Sequence, residues 1–251
     1  MEDAQKPRIP WNPIVAVVFV IGLYFVAQFI GSLLIYLVPM AFGVDAATLE
    51  HWLKSSTLAQ FIYVLLIEAL TIGGLLLFLR RYSSRLRDIG LKKPRLRDIG
   101  IGLVAWPPYF IGFIVIVGVL SSLIPALNVS QEQELGFDNV VGPMALTLTF
   151  ISLVVLPPLV EEILVRGFLF TSLRKNLRWF GAALVTSAVF AAAHLGASSE
   201  GPLYIAAIDT FILSMVLCYI REKTGSLWAG IVLHALKNGV AFVSLFILGA
   251  A

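Results

Sequence analysis

The apolar positions of this chain run in long unbroken stretches. They show neither the alternation of a half-buried strand nor the narrow stripe of a soluble helix. At 1.5 Å per residue, a stretch of about 17–25 apolar residues can cross a hydrocarbon layer ~30 Å thick. Seven such stretches predict spans at 14–38, 58–79, 100–124, 143–170, 180–196, 202–220 and 227–248. The fifth is the shortest and is dense in small residues, including Ala182, Ala183, Ser187, Ala188, Ala191, Ala192 and Ala193. Such residues let helices approach closely. Trp11, Trp52, Trp106, Trp179 and Trp228 fall near predicted span ends, where an amphipathic ring is favoured. The pattern predicts an all-α, polytopic transmembrane helical bundle of seven to eight spans.

The polar connections alternate in charge. Lys6 and Arg8 precede the first span. Arg80, Arg81, Arg85, Arg87, Lys92, Lys93, Arg95 and Arg97 separate the second from the third. Arg174, Lys175 and Arg178 follow the fourth, and Arg221 and Lys223 the sixth. The intervening connections carry Asp45, Glu50 and Lys54, then Glu132, Glu134 and Asp138, then Glu200. Every Lys and Arg except Lys54, Arg166 and Lys237 therefore falls on one side, which predicts a cytoplasmic N-terminus and an external C-terminus. Residues 1–99 read as N-terminal spans with a basic cytoplasmic loop, and 100–251 as the core of the bundle.

Composition sharpens this picture. The 251 residues are 59% hydrophobic and 13% charged, against about 25% charged in a soluble domain. The net charge of +3 is spread over short loops. That arrangement suits a lipid bilayer and argues against a nucleic-acid partner. With one cysteine, Cys218, the chain has no internal disulfide and no cysteine-rich metal site. The basic loop repeats a short motif, Leu86-Arg87-Asp88-Ile89-Gly90 and Leu96-Arg97-Asp98-Ile99-Gly100. It reads as an amphipathic surface segment drawn to anionic lipid.

Candidate chemistry lies inside the spans. An ionisable group at a helix centre costs roughly 2.5–3.5 kcal/mol to insert, yet Glu161, Glu162 and Arg166 fall within six residues. Glu162 and Arg166 share a helix face and can pair, whereas Glu161 lies about 100° around the helix without a local partner. Pro157 and Pro158 remove backbone donors just upstream and can open a polar cavity. Glu68, Asp209 and Lys237 are further charges within spans, and Asp209 is a candidate partner for Lys237. His194 closes the fifth span. His234 lies in the seventh, with Asn238 four residues on and facing the same way. A structural ion pair with two satisfied histidines is one reading. A carboxylate and His that activate water, with His and Asn donors for a developing oxyanion, is the other.

The motifs Glu161-Glu162-x-x-x-Arg166, Phe190-x-x-x-His194 and His234-x-x-x-Asn238 resemble the CPBP family, the CAAX proteases and bacteriocin-processing enzymes that include type II CAAX prenyl endopeptidases. The flanks Arg166-Gly167-Phe168-Leu169 and Thr224-Gly225-Ser226-Leu227-Trp228 agree, and the likeness covers about Pro143 to Val240. Lys237 departs from the pattern. The resemblance implies an intramembrane endopeptidase that admits its substrate from the cytoplasm or laterally from lipid. Glu161 and His194 would activate water, His234 and Asn238 would bind the oxyanion, and Glu162 and Arg166 would position the site. A metal is open: Glu161, His194 and His234 could give Zn²⁺ three ligands and a free position, although no His-Glu-x-x-His helix supports it. The expected substrate is a peptide or membrane protein, CAAX-type in a eukaryote. The short chain is expected in a bacterial plasma membrane. The rival readings are a non-catalytic scaffold or bacteriocin self-immunity protein, and a proton-coupled transporter. The hydropathy pattern shows no repeat in favour of the transporter.

Overall fold

The computed structural model describes residues 9–129, 131, 136–137, 139–198 and 201–249. Lys6, Arg8, Glu132, Glu134, Asp138 and Glu200 lie outside them. The fold is an all-α bundle. Its helices are α1 (Pro13–Ala41), α2 (Ala46–Ser55), α3 (Thr57–Arg81), α4 (Leu96–Leu123), α5 (Gly142–Leu173), α6 (Trp179–Ala193), α7 (Tyr204–Thr224) and α8 (Trp228–Ile247). A two-residue hairpin pairs Ala197–Ser198 with Gly201–Pro202 between α6 and α7.

Six of these helices, α1, α3, α4, α5, α7 and α8, are long and apolar enough to cross a membrane. Their outward faces carry exposed Ile, Leu, Val and Phe, as a lipid-facing surface requires. The fifth expected span is only 15 residues, Trp179–Ala193, and so rises about 22 Å, short of the ~30 Å layer. His194 caps it where it stops. The ten-residue α2 was not expected. Asp45 caps it by accepting from the Thr48 N–H at 2.9 Å, as a short polar helix between two spans needs.

The repeated motif keeps its basic residues exposed and gives each copy a local fold of its own. Both copies use one local solution: the Asp at the third position of each repeat accepts from a backbone N–H three residues upstream. Asp88 holds Arg85 N–H at 2.8 Å and Asp98 holds Arg95 N–H at 2.9 Å. The first copy is a tight turn, Leu86–Ile89, whose Ile89 is fully buried in the core. It closes at Gly90 with φ +102°, and a side chain there would collide with the Arg221 guanidinium. The second copy opens α4, so that span starts at Leu96 rather than at 100.

Helix α5 is the axis. Every residue from Glu162 through Leu173 is buried. Phe168 packs in an aromatic cluster with Trp11, Phe19, Phe78 and Tyr82 from α1 and α3 and their flanks. Trp11 Nε1 donates to Ser172 Oγ at 2.6 Å. At the same end Arg174 donates through Nε and Nη2 to both oxygens of Glu222, at 2.9 and 2.8 Å, tying α5 to α7. On the other flank α4 crosses α8 at Gly102, where a Cβ would come within 2.8 Å of the Ala229 carbonyl.

Candidate active site

The polar residues meet where α5, α6, α7 and α8 converge. Glu162 and Arg166 form the expected pair, with Arg166 Nη1 donating to Glu162 Oε1 at 2.8 Å. Both side chains are sealed, at 1% and 0% exposure. The Arg166 guanidinium also lies over the Phe190 ring, 4.4 Å from its centroid, which gives the cation a second favourable neighbour.

The same Glu162 oxygen takes a third group. His234 Nδ1 stands 3.2 Å from Glu162 Oε1. A carboxylate only accepts, so the proton is assigned to Nδ1 and the other ring nitrogen faces Glu161. His234 Nε2 and Glu161 Oε2 are 3.7 Å apart, beyond direct hydrogen-bond range. Glu162 thus locks the imidazole that addresses Glu161. The two adjacent glutamates differ in access: the Glu161 side chain is 29% exposed and borders a cavity, while Glu162 is closed off.

That cavity, ≈820 Å³, is also bordered by His194, His234 and Asn238. His194 Nδ1 lies 2.9 Å from the Phe190 carbonyl, an acceptor, so its proton too is assigned to Nδ1. Phe190 makes edge contacts with both imidazoles, its centroid 4.6 Å from His194 and 6.0 Å from His234.

Asn238 reveals what the two prolines do. The Leu153 carbonyl would ordinarily accept from the N–H four residues on, or five in a widened turn. Those positions are Pro157 and Pro158, which have no N–H. The backbone widens here over Ile151–Val155, with Leu156 N–H reaching the Ile151 carbonyl. Asn238 Nδ2 supplies the missing donor to Leu153 O at 2.9 Å.

Sequence reading missed three further parts. Lys237 does pair with Asp209, Nζ to Oδ2 at 3.1 Å, and both border the cavity beside Glu161, but Tyr109 from α4 also donates to Asp209. Phe190 was noted only as part of a motif. Gly230 had no signal at all: a Cβ there would sit 2.9 Å from Glu162 Oε2. Glu68, by contrast, does not border the cavity.

Among the described residues, no group of three His, Cys, Asp or Glu side chains stands close enough to hold a metal ion. Glu161, His194 and His234 surround one cavity without closing to a ligand triad. This arrangement does not fit the Zn²⁺ reading, and it gives no geometry for a metal-borne step.

Comparison with known proteins assigns the segment that carries these motifs. Residues 143–240 match the model of the family described as type II CAAX prenyl endopeptidase Rce1-like. That segment is Rce1-like. The match agrees with the CPBP resemblance of the three motifs and takes in all six polar residues from Glu161 to Asn238. An Escherichia coli relative, an uncharacterized 24.3 kDa protein, is 28% identical over 161 residues, covering 62% of this chain and 67% of its own. No solved structure gives a significant match. With six apolar helices and an Rce1-like segment, the chain is an integral membrane protein.

Proposed function

We propose that the protein is an intramembrane endopeptidase that hydrolyses peptide bonds with a water activated by Glu161 and His194. The observation that carries this reading is the pairing of opposites on one helix: Glu161 is open to a cavity shared with His194, His234 and Asn238, while Glu162 beside it is sealed in an ion pair.

Each residue then has a task. Glu161 accepts a proton from water as its oxygen attacks the scissile carbonyl carbon. His194, held by the Phe190 carbonyl, presents Nε2 to the same water. Negative charge moves onto the carbonyl oxygen. Asn238 gives one amide N–H to Leu153 and has a second for that oxygen, and His234, kept on Glu162 through Nδ1, would add a donor at Nε2 when that nitrogen also carries a proton. Collapse breaks the C–N bond, and the proton held on Glu161 passes to the departing amine. Arg166 balances the Glu162 charge and keeps His234 in register, so both act by positioning.

The substrate class is a membrane-associated peptide. The test is purified protein in detergent with a quenched fluorescent peptide library, wild type against Glu161→Ala. Cleavage by the wild type and none by the variant supports the reading. A wild type that leaves every peptide intact, or equal cleavage by both, contradicts it in favour of a scaffold or immunity protein. Because the side chains do not close on a metal, activity is expected to survive exhaustive treatment with 1,10-phenanthroline. Loss of activity with restoration by Zn²⁺ or Co²⁺ would instead place Glu161, His194 and His234 as ligands.

A further inference from the structure

The cavity is one-sided, and its open side is opposite the basic loops. Helices α5 and α7 run towards the basic end, and α6 and α8 run away from it. Its α5 lining, Leu153, Pro157 and Glu161, sits at the middle of that helix and stops where the buried run towards Arg174 begins at Glu162. Helix α7 contributes from its first half, α6 ends at the cavity with Phe190 and His194, and α8 contributes only from His234 onward to Phe246. In α6, α7 and α8 the lining lies mainly in the half away from Lys175, Arg178, Arg221 and Lys223, and in α5 it ends where the buried run towards Arg174 begins.

The basic side is plugged. Ala182, Ala183, Thr186 and Ser187 of α6 are buried there, as are Leu217 and Ile220 of α7, Ala229 and Gly230 of α8, and the second half of α5. Glu162 and Arg166 are sealed within that buried half. At the far end the lining reaches Gln131 of the α4–α5 connection, whose Nε2 donates to the Pro202 carbonyl at 2.8 Å and fastens that connection to the hairpin.

Basic connections stay in the cytoplasm. We propose that the cavity opens on the non-cytoplasmic side of the membrane, and that its substrate is a peptide segment that has already crossed the bilayer. A cytoplasmic tail, CAAX-type included, would meet the plugged half of the bundle. The substrate part of this inference rests on the hydrolase reading above; the direction of opening does not.

The experiment uses the full chain in bacterial cells. Cys218 is fully buried, so only introduced cysteines report. Val141→Cys lies at the cavity end of α5, on a residue 85% exposed, and Leu245→Cys lies in the cavity lining. Lys93→Cys, in the exposed basic connection, is the control. A membrane-impermeant thiosulfonate is expected to modify the first two in intact cells and Lys93→Cys only after lysis. The reverse pattern overturns the proposed opening. In parallel, a peptide cleaved by the detergent-solubilised protein and unable to cross lipid is offered to spheroplasts and to inside-out vesicles. Cleavage is expected with spheroplasts and none above background with the vesicles. Cleavage confined to inside-out vesicles overturns the substrate class. If no preparation, solubilised protein included, cleaves any peptide, the hydrolase reading falls and the substrate class with it, while the labelling still decides the opening.

Discussion

At the residue scale, one oxygen does most of the organising. Glu162 Oε1 accepts from Arg166 and faces His234 Nδ1. Arg166→Ala would leave that carboxylate buried without its cation, a loss that typically costs about 3–5 kcal/mol. The variant should accumulate poorly and melt early, by thermal denaturation in detergent. Glu162→Gln keeps an acceptor oxygen and removes the charge, so it should lose activity with a smaller drop in melting temperature. Gly230→Ala separates position from charge. On an open helix this change would stabilise by up to about 1 kcal/mol. Here the new methyl would press on Glu162 Oε2, 2.9 Å away, and push the carboxylate off His234. Turnover should fall without the gain in melting temperature, and a more stable, fully active variant would show that Glu162 is not held in place there. The ion pair was legible because Glu162 and Arg166 are one helical turn apart. The seat of His234 on Glu162 was not, since 72 residues separate them and only the packing of α8 on α5 brings them together. Gly230 was silent for the same reason.

At the scale of elements, the two prolines and Asn238 work as one device. Their effect on the backbone was readable, because proline always removes a donor. The group that answers the freed carbonyl was not, because it comes from another helix. The coupling is measurable by a double-mutant cycle. Asn238→Ala should cost about 1 kcal/mol by leaving the half-buried Leu153 carbonyl without its protein donor. In a Pro157→Ala background residue 157 regains an N–H, and the same change should cost clearly less. Equal costs in both backgrounds would mean that Asn238 and Pro157 are independent. The long spans were legible to within a few residues, since an unbroken apolar run has one dominant cause. The fifth was overestimated: its run continues as sequence through His194, but the helix ends at Ala193, where irregular backbone borders the cavity. The repeat in the basic loop was legible as a charged surface but not as a fold. Its charges read as a lipid-seeking face, whereas each Asp is used as a local cap and Ile89 is drawn into the core.

At the scale of the whole molecule, the bundle divides into a closed half near the basic loops and an open half that holds the cavity. The closed half carries the aromatic cluster around Phe168 and the Arg174–Glu222 clamp. The open half holds its charges by pairing across helices, as Tyr109, Asp209 and Lys237 do from α4, α7 and α8. Asp209→Asn would strip the ammonium of its counter-charge. The pair is partly exposed, so the loss should be only about 1–2 kcal/mol, seen as a modest fall in melting temperature, with turnover less affected than by any change at Glu162. The central claim, though, concerns Glu161. Glu161→Gln preserves shape and removes the base. The decisive measurement is therefore turnover of a peptide substrate by purified wild type and Glu161→Gln in the same detergent, with melting temperatures recorded alongside. The expected result is a fall in turnover by a factor of about 10² or more at an unchanged melting temperature. Near wild-type turnover in Glu161→Gln, with Glu162→Gln stable but inactive, would contradict the account and reverse the two glutamates' roles.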